Sequence, residues 1–257
     1  MSKPVILVTN DDGIISPGIR ALVEVAQHFG DVVVVAPDSP QSGMGHAITI
    51  HDPLRIQKVS IFDDLGIPAY QCSGTPVDCV KIAIDKIIKR KPDLCVSGIN
   101  HGSNAAINVI YSGTMSAAME AAIDGIPAIG FSILDYTFDA DFSAAKVYAK
   151  AIIQNMMNVG LLPDALLNVN IPKLPLDEIK GIKICRQANA KWKEEFDERR
   201  DPSGKNYYWL IGNFVNNDQG EDTDAWALDN GYVSIVPVQF DLTHHHAISF
   251  INKNWNL

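Results

Sequence analysis

The sequence lacks any long apolar run, and no stretch approaches the roughly 18 consecutive apolar residues that a membrane-spanning helix needs. A leader segment with the pattern of a signal peptide is also missing, because Lys3 and Pro4 lead directly into a strand-like segment. Together these absences predict a cytoplasmic protein that does not associate with membranes.

Positive charge is scarce: 21 Lys and Arg residues stand against 30 Asp and Glu residues, which gives a net charge of −9. Affinity for polymeric nucleic acid comes mostly from clustered Lys and Arg side chains. Stable binding of DNA or RNA is therefore not expected, whereas a small anionic substrate is compatible with a local positive field.

Cysteine is rare, and the four residues Cys72, Cys79, Cys95 and Cys185 form no C-x-x-C pair. They fall in or beside apolar runs, as small buried hydrophobic residues do. We therefore expect reduced thiols in the core, and neither a disulfide framework nor structural zinc.

Familiar catalytic signatures are also missing, since the chain has no P-loop, no G-x-S-x-G elbow and no H-E-x-x-H motif. Gly43 and Gly45 would begin a dinucleotide fingerprint, but Ile48 occupies the place of its third glycine. A Rossmann oxidoreductase is therefore not indicated.

What the chain does contain is a regular alternation of strand and helix patterns. Ser16 offers a capping hydroxyl, Pro17 suits the first helical position, and apolar residues then recur at helical spacing until Gly30. Apolar or β-rich runs typical of strands in a parallel sheet occur at residues 5–8, 32–35, 69–72, 94–97 and 128–132. The same patterns predict helices over 77–88 and about 114–124, and a loop over 98–111.

This alternation predicts an α/β fold with a Rossmann-like, doubly wound and mostly parallel sheet. After residue 170 the pattern changes to short strands and polar loops, with a charged segment at 191–200 and an aromatic strand at 207–210. We expect one domain over residues 1–257. Its core would span about 1–170, and a β-rich C-terminal lobe with an oligomerisation arm would span about 171–257.

The first candidate motif, residues 10–13, directly follows the first strand. Asp-Gly is a strong turn signal, so a plain turn is one interpretation. The other is a metal site, because the adjacent carboxylates of Asp11 and Asp12 repel each other unless a cation lies between them, and hard divalent ions prefer oxygen ligands.

Two further motifs lie where later strands end. The long polar loop at 36–46 presents Ser42 toward the ligand crevice, or it is simply turn chemistry. After the strand at 94–97, Asn100 offers an amide oxygen for a cation. A helix begins at Ser112, Gly113 and Thr114, and the free N–H groups of its first turn favour phosphate. Ser112 or Thr114 would equally suit ordinary N-capping.

Three other candidates carry less weight. Residues 244–246 are three adjacent histidines, which cannot all face one way, so we interpret them as a surface segment. Asp139 and Asp141 resemble the D-x-D of aspartyl-phosphate phosphatases, but no apolar strand precedes them. We therefore interpret them as part of a solvated loop, and the acidic bend at 63–64 likewise.

Taken together, residues 10–13, 36–43, 73–79, 97–100 and 111–114 closely resemble the motifs of the SurE family of 5′/3′-nucleotidases. The similarity covers nearly the whole chain, since it continues through 167–170, 179–183, 201–204, 207–209 and 231–234 and ends near residue 243. The sequence departs from the family pattern around 40–41, at His101, at 103–106 and after Thr243.

The resemblance implies hydrolysis of nucleoside 5′- and 3′-monophosphates with one Mg²⁺ or Mn²⁺ per chain, in a homodimer or homotetramer built partly by exchanged C-terminal segments. Carried over by position, the metal ligands are Asp11, Asp12, Ser42 and Asn100. Asp11 and Asp12 would be catalytic through the metal and its bound water. The phosphate and substrate would lie against Asn10, Gly43, Asn104, Ser112, Gly113 and Thr114. The alternatives are a nucleotide sensor without turnover and a broader phosphatase acting on short polyphosphate.

Overall fold

The computed structural model describes residues 3–256 and contains a nine-stranded, largely parallel sheet with helices on both faces. The strands follow the order β3-β4-β2-β1-β5-β6-β7-β11-β8, and a separate two-stranded sheet pairs β10 with β9. The strands are β1 (Val5–Thr9), β2 (Asp31–Pro37), β3 (Ile56–Val59), β4 (Ala69–Cys72), β5 (Leu94–His101), β6 (Ala128–Ile133), β7 (Ala165–Ile171), β8 (Ile182–Ile184), β9 (Ala190–Arg200), β10 (Asn206–Asn216) and β11 (Val233–Gln239). The helices are α1 (Pro17–Ala26), α2 (Pro76–Ile82), α3 (Gly113–Ile123), α4 (Ser143–Val159), α5 (Asp224–Asp229) and α6 (His245–Asn254).

The predicted doubly wound, mostly parallel sheet is confirmed. Strands β4, β2, β1, β5, β6 and β7 run parallel to their neighbours, while β3 and β11 pair antiparallel with β4 and β7. Because β1 and β5 are parallel neighbours, their carboxyl ends meet at one edge of the sheet. The strand order reverses between them, and ligands bind at such a point in folds of this kind.

The core lies on both faces of the sheet because successive strand residues point to opposite sides. On β1, Ile6 and Val8 are buried in the cluster that also contains α1 and α4, whereas Leu7 belongs to the cluster with α2 and α3. Fully burying each of these side chains contributes about 1.5–3 kcal/mol. This two-sided burial explains why β1 is uniformly apolar.

Two boundaries differ from the sequence-based predictions. Helix α1 ends at Ala26 and a turn continues to Gly30, and the Ser16 hydroxyl makes no capping bond because it accepts a hydrogen bond from Asn10. The helix predicted over 77–88 is α-helical only to Ile82 and continues as a π-helical turn over Ala83–Ile88. At Ser16 the contact with Asn10 thus replaces the capping bond that the local pattern favours.

The loop expected over 98–111 is wrong at its start, because β5 continues through a bulge to His101. Gly98 lies in the bulge at φ +122°, where a Cβ would come within 2.3 Å of the Phe131 carbonyl oxygen. A 3-10 helix over Ala106–Ile110 then leads to α3. The bulge therefore carries Asn100 and His101 past the sheet edge to the site described below.

The second half of the chain contributes both to the main sheet and to a projecting hairpin. Strands β8 and β11 complete one side of the sheet. Strands β9 and β10 pair along eleven residues each, and most of their side chains are exposed. This exposed hairpin corresponds to the charged and aromatic segments of the sequence.

The structure also describes the lengths of the helices and the state of the cysteines. Within residues 3–256, no helix combines the length and apolar character that a bilayer crossing requires. All four cysteines are buried and unpaired, as predicted.

Candidate active site

The turn after β1 is built around a fully buried amide. Asn10 donates from Nδ2 to the Gly13 carbonyl oxygen at 2.9 Å and to the Ser16 Oγ at 2.8 Å. Both amide hydrogens are thus committed within the turn, while Oδ1 is buried without a polar partner among the described residues. Gly13 adopts φ +94°, which only glycine reaches easily, and the next helix can therefore start at once. Asn10 shapes the turn that presents the two acids.

Asp11 lies between this turn and the start of α3. Its side chain is 4% exposed, and its Oδ1 accepts a hydrogen bond from the Thr114 hydroxyl. A Cβ on Gly113 would lie 2.7 Å from the Asp11 Cβ, so the carboxylate reaches this position only because residue 113 has no side chain. Burial raises the pKa of Asp11 to about 6, the Thr114 bond opposes this shift, and the charge of Asp12 adds to it.

Asp12 is held from the neighbouring strand. Its Oδ2 accepts a hydrogen bond from the His101 backbone N–H at 3.1 Å and lies 2.9 Å from His101 Nδ1. The His101 ring packs edge-on against Phe142, with centroids 5.3 Å apart. In the sequence, His101 stood out only as a departure from the family pattern. The position of His101 directly after Asn100 was the one signal for this contact.

Asn100 is positioned by the same segment. Its Nδ2 donates to the Gly102 carbonyl oxygen at 2.7 Å, which fixes the orientation of the amide and leaves Oδ1 to face another partner. Because the next residue, His101, contacts Asp12 through its backbone N–H, the backbone of Asn100 lies beside that acid.

Ser42 and Gly43 occupy an exposed turn next to the acids. The Gln41 N–H donates to the Asp11 carbonyl oxygen at 2.7 Å, and the Gly45 N–H donates to the Tyr111 carbonyl oxygen at 3.1 Å. Gly43 has φ +73°, as such a tight turn requires. Backbone hydrogen bonds thus attach this turn to the end of β1 on one side and to the residues before α3 on the other.

The start of α3 presents its first N–H groups to the same place. Ser112 is the N-cap and accepts a hydrogen bond from the Met115 N–H at 3.0 Å, while the Thr114 hydroxyl is used on Asp11. The ordinary capping role is therefore confirmed for Ser112. The helix dipole and the Gly113 N–H, which has no hydrogen-bond partner among the described residues, still favour an anion near Gly113.

Asn104 belongs to a buried amide network below the site. Its Nδ2 donates to the Ser132 hydroxyl at 2.8 Å, its N–H donates to Asn170 Oδ1 at 2.8 Å, and its carbonyl oxygen accepts from Asn168 Nδ2 at 2.8 Å. Asn170 in turn donates to Asn168 Oδ1. The network fixes the loop after β5 to β6 and β7. The sequence motif at 167–170 did not reveal this structural role of Asn168 and Asn170.

These oxygen atoms fit a divalent cation. Within residues 3–256, no three His, Cys, Asp or Glu side chains gather as a metal-sized cluster, so the two acids would need neutral oxygens beside them. Ser42 and Asn100 carry such atoms on the adjoining loop and strand, and Asn10 Oδ1 is a buried acceptor without a partner among the described residues. Carboxylate, amide and hydroxyl oxygens suit Mg²⁺ or Mn²⁺, which keep part of their coordination for water and phosphate.

The discounted candidates lie away from this edge. Residues 244–246 are exposed at the start of α6, where His245 pairs with Asp241. Asp139 and Asp141 are exposed in a loop, and Asp141 accepts a hydrogen bond from the Ser143 N–H at 2.8 Å, just before α4. Both predictions, of a surface segment and of a solvated loop, are confirmed.

In this fold, two acids follow the first strand of a parallel α/β sheet and lie beside an exposed turn and the N-terminus of a helix. This arrangement defines a class of α/β proteins that bind their ligands in a crevice at the edge of the sheet. The chain belongs to the Survival protein SurE family, whose family model matches residues 6–194. The resemblance predicted from the motifs is thereby confirmed.

Similar proteins extend the match over the whole chain. A relative from Flavobacterium psychrophilum named 5′-nucleotidase SurE is 64% identical over 257 residues and covers 100% of this chain and 99% of its own. A relative of the same name from Christiangramia forsetii is 65% identical and covers 99% and 98%. The crystal structure of the SurE protein from Aquifex aeolicus is 42% identical, covers 97% and 98%, and has a TM-score of 0.84.

Proposed function

We propose that this chain is a metal-dependent phosphomonoesterase that hydrolyses nucleoside 5′-monophosphates, and also 3′-monophosphates, to nucleoside and phosphate. The observation that carries the proposal is the buried Asp11 carboxylate, fixed beside Asp12 and against the N-terminus of α3. The name 5′-nucleotidase of relatives at 64% and 65% identity supports the choice of substrate.

Asp11, Asp12, Ser42 and Asn100 would hold one Mg²⁺ or Mn²⁺. When bound, such an ion polarises the phosphate and lowers the pKa of an attacking water. The chain keeps its acids apart and oriented: Thr114 binds Oδ1 of Asp11, and His101 binds Oδ2 of Asp12. Each acid thus retains a second carboxylate oxygen for the ion.

The phosphate would lie at the start of α3, with the N–H of Gly113 and the first helical turn offsetting its charge. Ser112 and Thr114 shape this turn through the cap and through Asp11. Gly43 would offer its backbone from the facing loop. Asn104 and Asn10 would lie beneath the phosphate. The polar atom of Asn10 that remains available there is its amide oxygen, an acceptor, because both amide hydrogens are used within the turn.

The proposal is tested by release of phosphate from AMP and GMP with Mn²⁺, with Mg²⁺ and with EDTA. We expect turnover with either metal and its loss in EDTA. Saturable nucleotide binding without phosphate release would instead identify a sensor. Faster release from short polyphosphate than from either nucleotide would identify the broader phosphatase.

We also propose a domain organisation, an oligomeric state and a cellular location for the chain. Because β8 and β11 complete the sheet begun by β1, the chain would form a single domain, with the β9–β10 hairpin as its oligomerisation arm. The exposed aromatic side chains of that hairpin support a homodimer or homotetramer. Four unpaired cysteines support a reducing compartment, in keeping with a cytoplasmic location.

A further inference from the structure

A buried carboxylate on α3 faces the segment that follows Ser42. The Glu120 side chain is 6% exposed, and its Oε2 lies 2.8 Å from Nε2 of His46. Its Oε1 is paired with Lys81 of α2. Breaking one contact of a buried carboxylate is costly, so His46 is held more firmly than a surface pair would hold it.

Glu120 lies on the same face of α3 as the contact with Asp11. Glu120 follows Gly113 by seven residues, which is nearly two turns and about 10 Å of helix. One helix therefore carries at its start the surface that positions Asp11, and further along it a group that holds the loop bearing Ser42.

After His46 the chain is held by the Thr75 hydroxyl, which donates to the Ala47 carbonyl oxygen at 2.7 Å, and by Asp78, which accepts from the Thr49 N–H at 3.1 Å. Before it, side chains contribute little to the position of the loop. Backbone hydrogen bonds fasten it at Gln41 and at Gly45. Among residues 42–46, His46 alone has a side chain that makes a polar contact within the described chain. With a hydrogen on Nε2, His46 can donate to Glu120 whether the ring is neutral or protonated.

We propose that His46 is a positioning residue, whose bond to Glu120 fixes the turn at 42–45 so that the Ser42 hydroxyl stays oriented toward Asp11 and Asp12. The part that concerns Ser42 rests on the proposed function, because it takes Ser42 as a metal ligand. The order of the turn itself does not depend on any metal.

The first test measures amide hydrogen exchange of residues 42–48 in metal-free protein. His46→Ala should speed exchange about tenfold, and His46→Gln, which keeps a donor at similar reach, should restore the wild-type rate. His51→Ala is the matched control, because His51 is exposed in the same segment and makes no polar contact within the described residues. Unchanged exchange in His46→Ala would overturn the proposal.

The second test measures Mn²⁺ affinity by calorimetry in a double-mutant cycle. His46→Ala should weaken binding about tenfold, the low end of the loss typical for groups that orient a ligand. In a Ser42→Ala background the same change should add less than twofold, because His46 would act through Ser42. Full additivity of the two losses would overturn that part of the inference.

The two tests separate this inference from the proposed function. If the wild-type protein binds no Mn²⁺ while His46→Ala still exchanges faster than the wild type, the metal site is refuted and the positioning of the turn is supported. Normal Mn²⁺ binding with unchanged exchange would refute the positioning alone. A purely structural role would lower the melting temperature and leave Mn²⁺ affinity unchanged, which also contradicts the proposal.

Discussion

The carboxyl edge of the main sheet and the β9–β10 hairpin depart from ordinary burial in opposite directions. At the sheet edge, Asp11 is a carboxylate that is only 4% exposed, whereas in the hairpin Trp209 is an aromatic residue that is 58% exposed. Burying an ionisable group and exposing a large apolar side chain both cost free energy in an isolated chain. These opposite departures are the reason why we propose a small charged ligand at the sheet edge and another protein surface at the hairpin.

The largest effect should come from neutralising the buried acid. We expect Asp11→Asn to lower kcat/KM for AMP by about 1,000-fold, since loss of a charged ligand removes several kcal/mol of transition-state stabilisation. Asp139→Asn is the matched control, because Asp139 is exposed in a loop. Phosphate-release kinetics measure both variants, and near-normal metal-dependent turnover by Asp11→Asn would contradict the assigned role.

The raised pKa of Asp11, about 6 against an ordinary value of 3.8, predicts a pH-dependent stability of the metal-free protein. Between these values the folded state binds the proton more tightly than the unfolded state, so the contribution of Asp11 to stability falls as pH rises from about 4 through 6. The full loss is up to about 3 kcal/mol.

Urea unfolding in EDTA at pH 4 and pH 8 measures most of this loss as the difference between the wild type and Asp11→Asn. Mn²⁺ should restore stability at pH 8, where it binds the carboxylate, and should have little effect near pH 4. An Asp11→Asn variant with the same pH dependence as the wild type would show that the titration belongs to another group.

A smaller effect is expected from filling the space beside Asp11. Gly113→Ala would place a Cβ 2.7 Å from the Asp11 Cβ, which must push the carboxylate away. We expect kcat/KM to fall about 10- to 30-fold through the displaced acid. Ser116→Ala, one turn further along α3, removes a bond to the Ser112 carbonyl and should change the rate less than threefold. Equal rates in Gly113→Ala and wild type would mean that the contact is not needed for turnover.

The smallest effect on folding should come from the hairpin. Trp209→Ser is expected to change the free energy of unfolding measured at low protein concentration by less than about 0.5 kcal/mol, because the side chain is largely exposed in the single chain. Light scattering coupled to size exclusion should nevertheless show a lower mass than the wild type. An unchanged mass would remove this residue from the proposed assembly surface and weaken the contrast between the two regions.

Local patterns predicted the elements that lie deepest in the protein. The apolar runs of β1 and β2 and the small residues of α3 were identifiable because buried strands and helices carry continuous apolar character. The capping role of Ser16 and the end of β5 were predicted wrongly, because each depends on a contact that the local pattern does not show. The Ser16 hydroxyl bonds to Asn10 rather than capping α1, and the bulge at Gly98 fits against Phe131.

The site shows the same division. The residue types at 10–13 and 111–114 indicated oxygen ligands and a helix start, yet their spacing in sequence could not show that Thr114 binds Asp11 or that Gly113 makes room for it. Contacts to His101 and Glu120 had no sequence pattern of their own, because each joins residues far apart in the chain.

By itself, the sequence determined the α/β alternation, the acidic turn after the first strand and the resemblance to one family, because these depend on the order and chemistry of nearby residues. Only the tertiary structure decided how far Asp11 is buried, which atoms remain free to bind, and which groups hold the loop of Ser42. The physical reason is that desolvation and hydrogen-bond competition arise when strands β1 and β5 and helix α3 meet at one edge.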